Sequence, residues 1–404
     1  MDWKGYGVLI AAFFTISIAY SVRYGFGLLL PGMVETLRIS KTEAGLISSA
    51  YFCAYTAFSP VLGVLSDRVS ARLLITVFCG VLAGATLAMA FVPTMGWAAL
   101  VFAIAGAGHA ACWAPVVALV QRRVPDRIRG VALAVASMGS GVGIIFWSLW
   151  LPGVIGQGSY HLGWMQMGGV GLAVAVVNYA LIRDPPREPE ESGTGSGTAP
   201  ISFPYRQLLR SRNLWLVGSS YACISFAVLV PLTFLGVYAT EELQLDFAAA
   251  AHFFTTIAAA ALLGKLLFGA ISDRLGRIPL VVISNLCIAL GSVAVAHGAS
   301  LPGKYLAVTI IGLGFGAIWP LYAAVAVDIF PKRFAGGVIG LWTVFMGIGS
   351  LLSPVVCGWL IDVSGTAVWA FRLGCVIALG SILFLLPLRG DPGIVKGKTA
   401  DGMA

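Results

Sequence analysis

Charge is what this sequence has least of. Asp, Glu, Lys and Arg make up 10% of its 404 residues, against about 25% in an ordinary soluble domain, so water is not the chain's main solvent. Acids are scarcer than bases, 17 against 25, and no carboxylate falls deeper than the end of an apolar run. The sequence also lacks an HExxH pair, a Gly-rich phosphate loop and a facing pair of acids, which removes the usual signatures of a membrane-embedded enzyme. Its seven cysteines are odd in number, form no CxxC and all sit in apolar runs (Cys53, Cys79, Cys112, Cys223, Cys287, Cys357, Cys375). They read as packing residues, so no metal and no cofactor is expected. A short apolar core followed by a small-residue cleavage site is missing too, so the first run is expected to stay in the mature protein.

What is present is apolar length. Hydrophobic residues make up 59% of the chain, in stretches of about twenty, each long enough to cross a hydrocarbon core of roughly 30 Å. Spans are expected near 6–30, 42–65, 73–92, 96–119, 130–153, 162–182, 213–238, 247–269, 278–298, 303–327, 338–361 and 366–388. The formal charge of +8 would suggest nucleic acid in a soluble protein, but here the cations alternate with the spans. Nineteen Lys and Arg fall on the side that holds both termini, and only Arg38, Lys41 and Lys304 on the other. By the positive-inside rule both termini are expected in the cytoplasm and the protein in a cell (inner) membrane. The bilayer is its solvent, nucleic acid is not a partner, and a monomer is expected to suffice.

The chain also repeats itself at one offset, 206 residues. Gly63, Asp67 and Arg68 fall on Gly269, Asp273 and Arg274; Gly106, Gly108 and Trp113 fall on Gly312, Gly314 and Trp319; Pro125, Arg127 and Gly130 fall on Pro331, Arg333 and Gly336; Gly141 and Gly143 fall on Gly347 and Gly349. The expected fold class is an all-α membrane protein of twelve spans in two pseudo-symmetric six-helix bundles. The expected units are 1–183, a linker at 184–211 rich in Pro, Gly, Ser and Glu, and 212–404. Two like-oriented halves with a site between them at mid-membrane is an arrangement of alternating-access transporters.

The loop after the second span reads GVLSDRVSAR (Gly63 to Arg72) and its repeat reads GAISDRLGR (Gly269 to Arg277). It resembles the signature loop of the major facilitator superfamily, and the resemblance covers essentially the whole chain. The family implication is a latch in which Gly63, Asp67, Arg68, Gly269, Asp273, Arg274 and Arg277 bias one face to stay closed; the alternative is that they only hold and anchor the fold. Two departures narrow the resemblance. The fourth span has Phe102 where proton antiporters of the superfamily often carry arginine, and the fifth (Ser137 to Gly153) lacks the proline of the drug-antiporter motif, leaving close helix packing at Gly139 and Gly143 as the simpler account.

Three cations lie within the spans: Arg23, Lys265 and Arg372. An ionisable group at a helix centre costs roughly 2.5–3.5 kcal/mol on insertion scales, so one without a counter-ion should line a wet cavity or meet a charged ligand. None of the three is duplicated, since the offset pairs them with Leu229, Ser59 and Gln166. That asymmetry favours ligand handling over scaffold, whereas the duplicated glycines, aspartates, arginines and tryptophans read as common scaffold. Lys265 lies eight residues before Asp273, roughly 12 Å along the helix. Oxalate/formate antiporters and monocarboxylate transporters carry a substrate-binding arginine there, and KLLFGAISDRLGR is similar with Lys for Arg. Lysine is a point charge and grips a planar carboxylate less specifically than a guanidinium does. Arg23 shares a helix face with Tyr20, Tyr24 and Gly27, in a segment similar to the first span of organic-anion antiporters. Arg372 is close enough to its span end to snorkel.

Softer candidates for the cavity wall are Tyr51 and Tyr55, Tyr221 and Ser225, and Trp319 and Tyr322. His109, one turn before Trp113, is a candidate to carry a proton. These residues read together as a secondary transporter of a small organic anion, a monocarboxylate or related organic acid, that works by alternating access. Coupling would come from a proton, by way of His109 or Lys265 or with the substrate, or from exchange against a second anion. A phosphorylated or sulfonated anion is the near alternative; cation or drug efflux normally needs an acid in the cavity.

Overall fold

The computed structural model describes residues 3–155, 159–183 and 208–390. Among them lie twelve helical stretches long and apolar enough to cross a membrane, and no strand. The first six spans are α1 (Trp3–Leu37), α2 (Lys41–Arg68), α3 (Ala71–Ala88), the broken pair α4 (Met95–His109) and α5 (Ala114–Arg123), α6 (Asp126–Ile155) and α7 (Tyr160–Leu181). The second six are α8 (Arg212–Val237), α9 (Phe247–Leu275), α10 (Arg277–His297), α11 (Leu301–Ile329), α12 (Lys332–Ser364) and α13 (Val368–Leu385). The linker expected at 184–211 lies, up to residue 207, outside the described residues.

The sequence repeat is a repeat of packing jobs. Ser40 and Asp246, one offset apart, both cap a helix by accepting an amide, from Glu43 and Ala249 respectively. Such a cap satisfies one of the donors that every helix start leaves orphaned. Gly106 and Gly312 do a matching job inside the two bundles, because a Cβ on either would overlap a neighbouring backbone carbonyl, that of Tyr51 or of Ile257. Those two neighbours are themselves one offset apart. The same exchange operates between the halves, where Gly141 faces Leu262 and Gly347 faces Thr56. Close approach through small residues is how helices associate where lipid removes the hydrophobic drive.

Within the first six spans α1 packs on α6 and α7, α2 on α4 and α3 on α7; within the second, α8 packs on α12 and α13, α9 on α11 and α10 on α13. The halves meet where α2 lies on α12, α6 on α9 and α1 on α8. Two faces result. One carries the Asp-Arg loops at the ends of α2 and α9; the other, called here the opposite face, carries the turns after α1 and α8. At the opposite face the halves are tied together. Asp362, near the end of α12, accepts hydrogen bonds from the Lys41 and Thr42 amides at 2.9 and 2.8 Å and from the Thr42 hydroxyl at 2.5 Å. Lys41 also forms an ion pair with Glu241, and the Ser49 hydroxyl donates to the Leu351 carbonyl at 2.6 Å.

The fourth span departs from expectation. A continuous helix was expected to set His109 one turn before Trp113, but α4 ends at His109 and α5 starts only at Ala114. Pro115 supplies the physical reason: it has no amide to give to Ala111, and its ring crowds that carbonyl.

Candidate functional site

A cavity of about 440 Å³ lies between the halves, a size that holds one small molecule. α1 supplies Tyr20, Arg23 and Tyr24, and α2 supplies Tyr55. The break and α5 supply Trp113, Val116 and Val120, and α6 supplies Ser137 and Ser140. From the second half come Tyr221, Lys265, Phe315, Trp319, Tyr322 and Thr343. From Arg23 the cavity runs toward the Asp-Arg loop face, where Leu133, Ala323 and Ile339 line it. No carboxylate lines it among the described residues.

Arg23 is 6% exposed, and its guanidinium is caged by four rings. The carbon lies 4.7 Å from the ring centre of Phe52, 5.3 Å from those of Tyr24 and Tyr55, and 5.8 Å from that of Tyr20. Ring faces attract a cation, but they accept no pair of directed hydrogen bonds. Nε and Nη2 are both buried and have no hydrogen-bond partner. Those two nitrogens form one edge of the guanidinium, the edge that grips a carboxylate bidentately.

Lys265 reaches the cavity from the other half and donates from Nζ to the Ser137 carbonyl at 3.1 Å. That bond crosses between the halves, from α9 to α6. Behind the Arg23 cage, the Tyr51 hydroxyl meets His109 Nδ1 at 2.5 Å. The rings of Tyr20 and Tyr55 pack on the His109 imidazole at 5.1 and 5.2 Å. His109 is fully buried and stands behind the wall, one ring removed from Arg23.

The expected site residues therefore separate. Tyr20, Arg23, Tyr24, Tyr55, Tyr221, Lys265, Trp319 and Tyr322 line one cavity. Tyr51 and His109 back it, and Ser225 is buried off the lining. Arg372 stands apart, with Nε on His297 Nε2 at 3.2 Å and its guanidinium 4.5 Å over the Trp369 ring. Arg277 serves its own half, donating to the Ala324 carbonyl at 2.7 Å and pairing with Asp328 at 2.9 Å. Arg274 is exposed. The side chains of Asp67, Arg68 and Asp273 lie outside the described residues, and Gly63 and Gly269 have open space beside them.

Sequence reading missed Phe52, which no pattern ties to Arg23, and it missed that Trp113 faces the cavity. Trp113, taken as scaffold because it repeats, and Trp319, expected at the cavity wall, line the same cavity from the two halves. Asp362 was missed as well, since its partners Lys41 and Thr42 lie far away in sequence.

A model of the Major Facilitator Superfamily matches residues 12–304 and 231–402. The chain belongs to the major facilitator superfamily. As a superfamily member it is a multi-pass membrane transporter, not an enzyme. It is 23% identical to the probable sulfoacetate transporter of Cupriavidus necator, over 95% of this chain and 93% of that one. It is 24% identical to the D-galactonate transporter of Escherichia coli O6:H1, over 96% of each chain. It is 22% identical to the hexuronate transporter of Bacillus subtilis, over 95% and 96%. Among solved structures it resembles a bacterial homologue of the human lysosomal transporter Spinster in an inward-facing, unoccupied conformation. That match has a TM-score of 0.78, 16% identity and 99% coverage of both chains. It also resembles the nucleoside transporter NupG, with a TM-score of 0.73, 14% identity, and 98% and 100% coverage.

Lys265 and Arg372, one on the cavity and one away from it, should behave differently. Lys265→Gln removes a charged donor from the cavity and should slow uptake about tenfold, the scale of one charge-assisted hydrogen bond. Arg372→Gln, away from the cavity, should stay within about threefold of the parent, as surface changes do. Initial uptake rates in proteoliposomes, normalised to reconstituted protein, check both.

Proposed function

We propose that the protein is a secondary transporter of a small organic anion, a carboxylate in the first instance. The observation that carries this reading is the Arg23 edge: two buried, unpartnered guanidinium donors on a cavity that no carboxylate lines among the described residues. A buried donor left without a partner costs about 1–3 kcal/mol. An anion that displaces a cage ring and enters the edge replaces that cost with two charge-assisted bonds. The named substrates of the relatives, sulfoacetate, galactonate and hexuronate, are all organic anions and support the reading. Sulfoacetate carries a sulfonate besides its carboxylate, so a sulfonate head is the second reading.

The cation asymmetry of the loops makes the Asp-Arg face cytoplasmic, with both termini there and the protein in the cell membrane. The conformation described is then inward-facing, tied shut at the outer face through Asp362. Lys265 connects binding to movement. It rests on the Ser137 carbonyl of the other half, and an anion entering the cavity draws it away and loosens α6 from α9. The Asp-Arg loops would latch the inner face in the outward-facing state. His109, hydrogen-bonded to Tyr51 and packed on two cage rings, is the candidate to hold a coupling proton; exchange against a second anion would leave it unused.

The reading is tested by thermal shift of the purified protein against matched sets of carboxylates, sulfonates, phosphates and organic cations, followed by uptake of the stabilising compounds. Carboxylates or sulfonates should stabilise and be transported, as ligands that bind only the folded state must. Uptake confined to cations would sink the proposal.

A further inference from the structure

The cavity wall says what kind of body the anion carries. Apart from Arg23 and Lys265, the lining is mostly aliphatic or aromatic, and among the described residues it holds no Asn, Gln, Asp or Glu. Four of the lining hydroxyls are committed, and the buried Tyr24 hydroxyl beside Arg23 has no partner. Ser137 donates to the Ala134 carbonyl at 2.9 Å, Ser140 to that of Ser137 at 2.8 Å and Thr343 to that of Ile339 at 2.9 Å. Tyr322 shares its hydroxyl with Ser220 at 2.6 Å and Asn285 at 3.1 Å. The Trp342 indole donates away from the cavity, to the Leu214 carbonyl at 3.0 Å. A polyhydroxylated body brought from water into this space finds the serines, Thr343 and Tyr322 already engaged and only tyrosine hydroxyls near Arg23 to replace the bonds it gives up, whereas an apolar body gives up none.

What the wall does offer is ring surface from both halves. Trp113 enters at the start of α5, where the break turns the chain out of α4, and packs on Tyr20 at 5.9 Å. Trp319 enters from α11 and is braced by Tyr221 at 5.5 Å and Phe315 at 6.3 Å. Both indoles are only half-buried. They occupy equivalent places in the two repeats, one on each side of the cavity that the halves enclose. Flat rings braced by other rings pack apolar, planar bodies with little loss of side-chain freedom.

We infer that the transported anion has one acid head for the Arg23 edge and an apolar, preferably aromatic, body that packs against Trp113 and Trp319. This rests on the anion reading above and narrows it away from the sugar acids named for the relatives. Trp113 and Trp319 are then the residues that determine specificity.

The test measures binding of phenylacetate, its neutral counterpart phenylacetamide and D-galactonate to the full-length protein, with uptake of the same three into proteoliposomes. Phenylacetate should bind at least about tenfold more tightly than D-galactonate. Trp113→Leu with Trp319→Leu should weaken phenylacetate about tenfold, and the corresponding Phe pair should restore most of it. Size-exclusion profiles of both doubles confirm that they fold, and the Phe pair keeps the test open if the Leu pair does not. D-galactonate bound as well as phenylacetate, or no binding of phenylacetate, overturns the inference about the body and leaves the anion reading standing. Phenylacetamide bound as tightly as phenylacetate overturns both.

Discussion

Arg23→Gln should abolish uptake of the anionic substrate, by roughly a hundredfold or more, while the purified variant melts close to the parent. The two halves of that result have separate causes. Removing one member of a buried charge pair costs about 2–5 kcal/mol, and that full amount falls on the loaded state, where the anion would meet the Phe52, Tyr24 and Tyr55 rings with no guanidinium between them. The empty state loses little. Its guanidinium has two buried donors unpartnered, so neutralising it removes a desolvation cost and a set of ring contacts of opposing sign. A structural arginine behaves the other way, because its loss orphans the groups it bonded. Arg23→Lys should fall between parent and Gln variant, since it keeps the charge and loses the bidentate edge. Uptake rates and ligand-free melting curves on the same preparations decide. A large drop in melting temperature with substrate affinity intact would mean that Arg23 holds the fold.

Much of this site was legible in the sequence because it depends on what membranes penalise. Three in-span cations without a carboxylate partner are visible in any single sequence, and so is their absence from the repeat. Depth in the span already set Arg372 apart as able to snorkel, but the neighbours that cage Arg23 come partly from another span and were not visible. Arg23 and Arg372 look alike as isolated letters, yet one is ringed by side chains of α1 and α2 and the other leans on His297 and Trp369 near the end of its span. Repetition misled in one respect. Duplicated glycines are scaffold, as the matching roles of Gly106 and Gly312 show, but Trp113, read only as the repeat partner of Trp319, faces the space the halves enclose. The break after His109 had a signal in Pro115 that apolar periodicity alone passes over.

The ties at the opposite face are the part of the mechanism that sequence patterns hid most completely, and they support the second large expectation. Helix α2 starts with three amides that need acceptors. Glu43 gives its amide to the Ser40 hydroxyl within the same turn, but Lys41 and Thr42 give theirs to Asp362 of the other half. A carboxylate there also meets the positive end of the α2 dipole. On the alternating-access reading proposed above, these bonds must pass to water each time the opposite face opens. Asp362 is exposed, so the net value of its three bonds is well below that of buried ones, about 1.4 kcal/mol in all, or a tenfold bias in the two-state equilibrium. The Lys41–Glu241 ion pair, with Glu241 half exposed, is screened by water and should contribute about 1 kcal/mol or less. Asp362→Ala should therefore shift the protein about tenfold toward the state open at this face, and Glu241→Gln only slightly. Spin labels at Leu46 and Val363, exposed positions on α2 and α12, report the change as a longer-distance population in pulsed electron resonance on a cysteine-free background. The Asp362→Ala distances should lengthen without substrate, and its uptake should become limited by the return of the empty carrier. Unchanged distances would show that the backbone contacts of α1 with α8 and α2 with α12 hold this face closed by themselves.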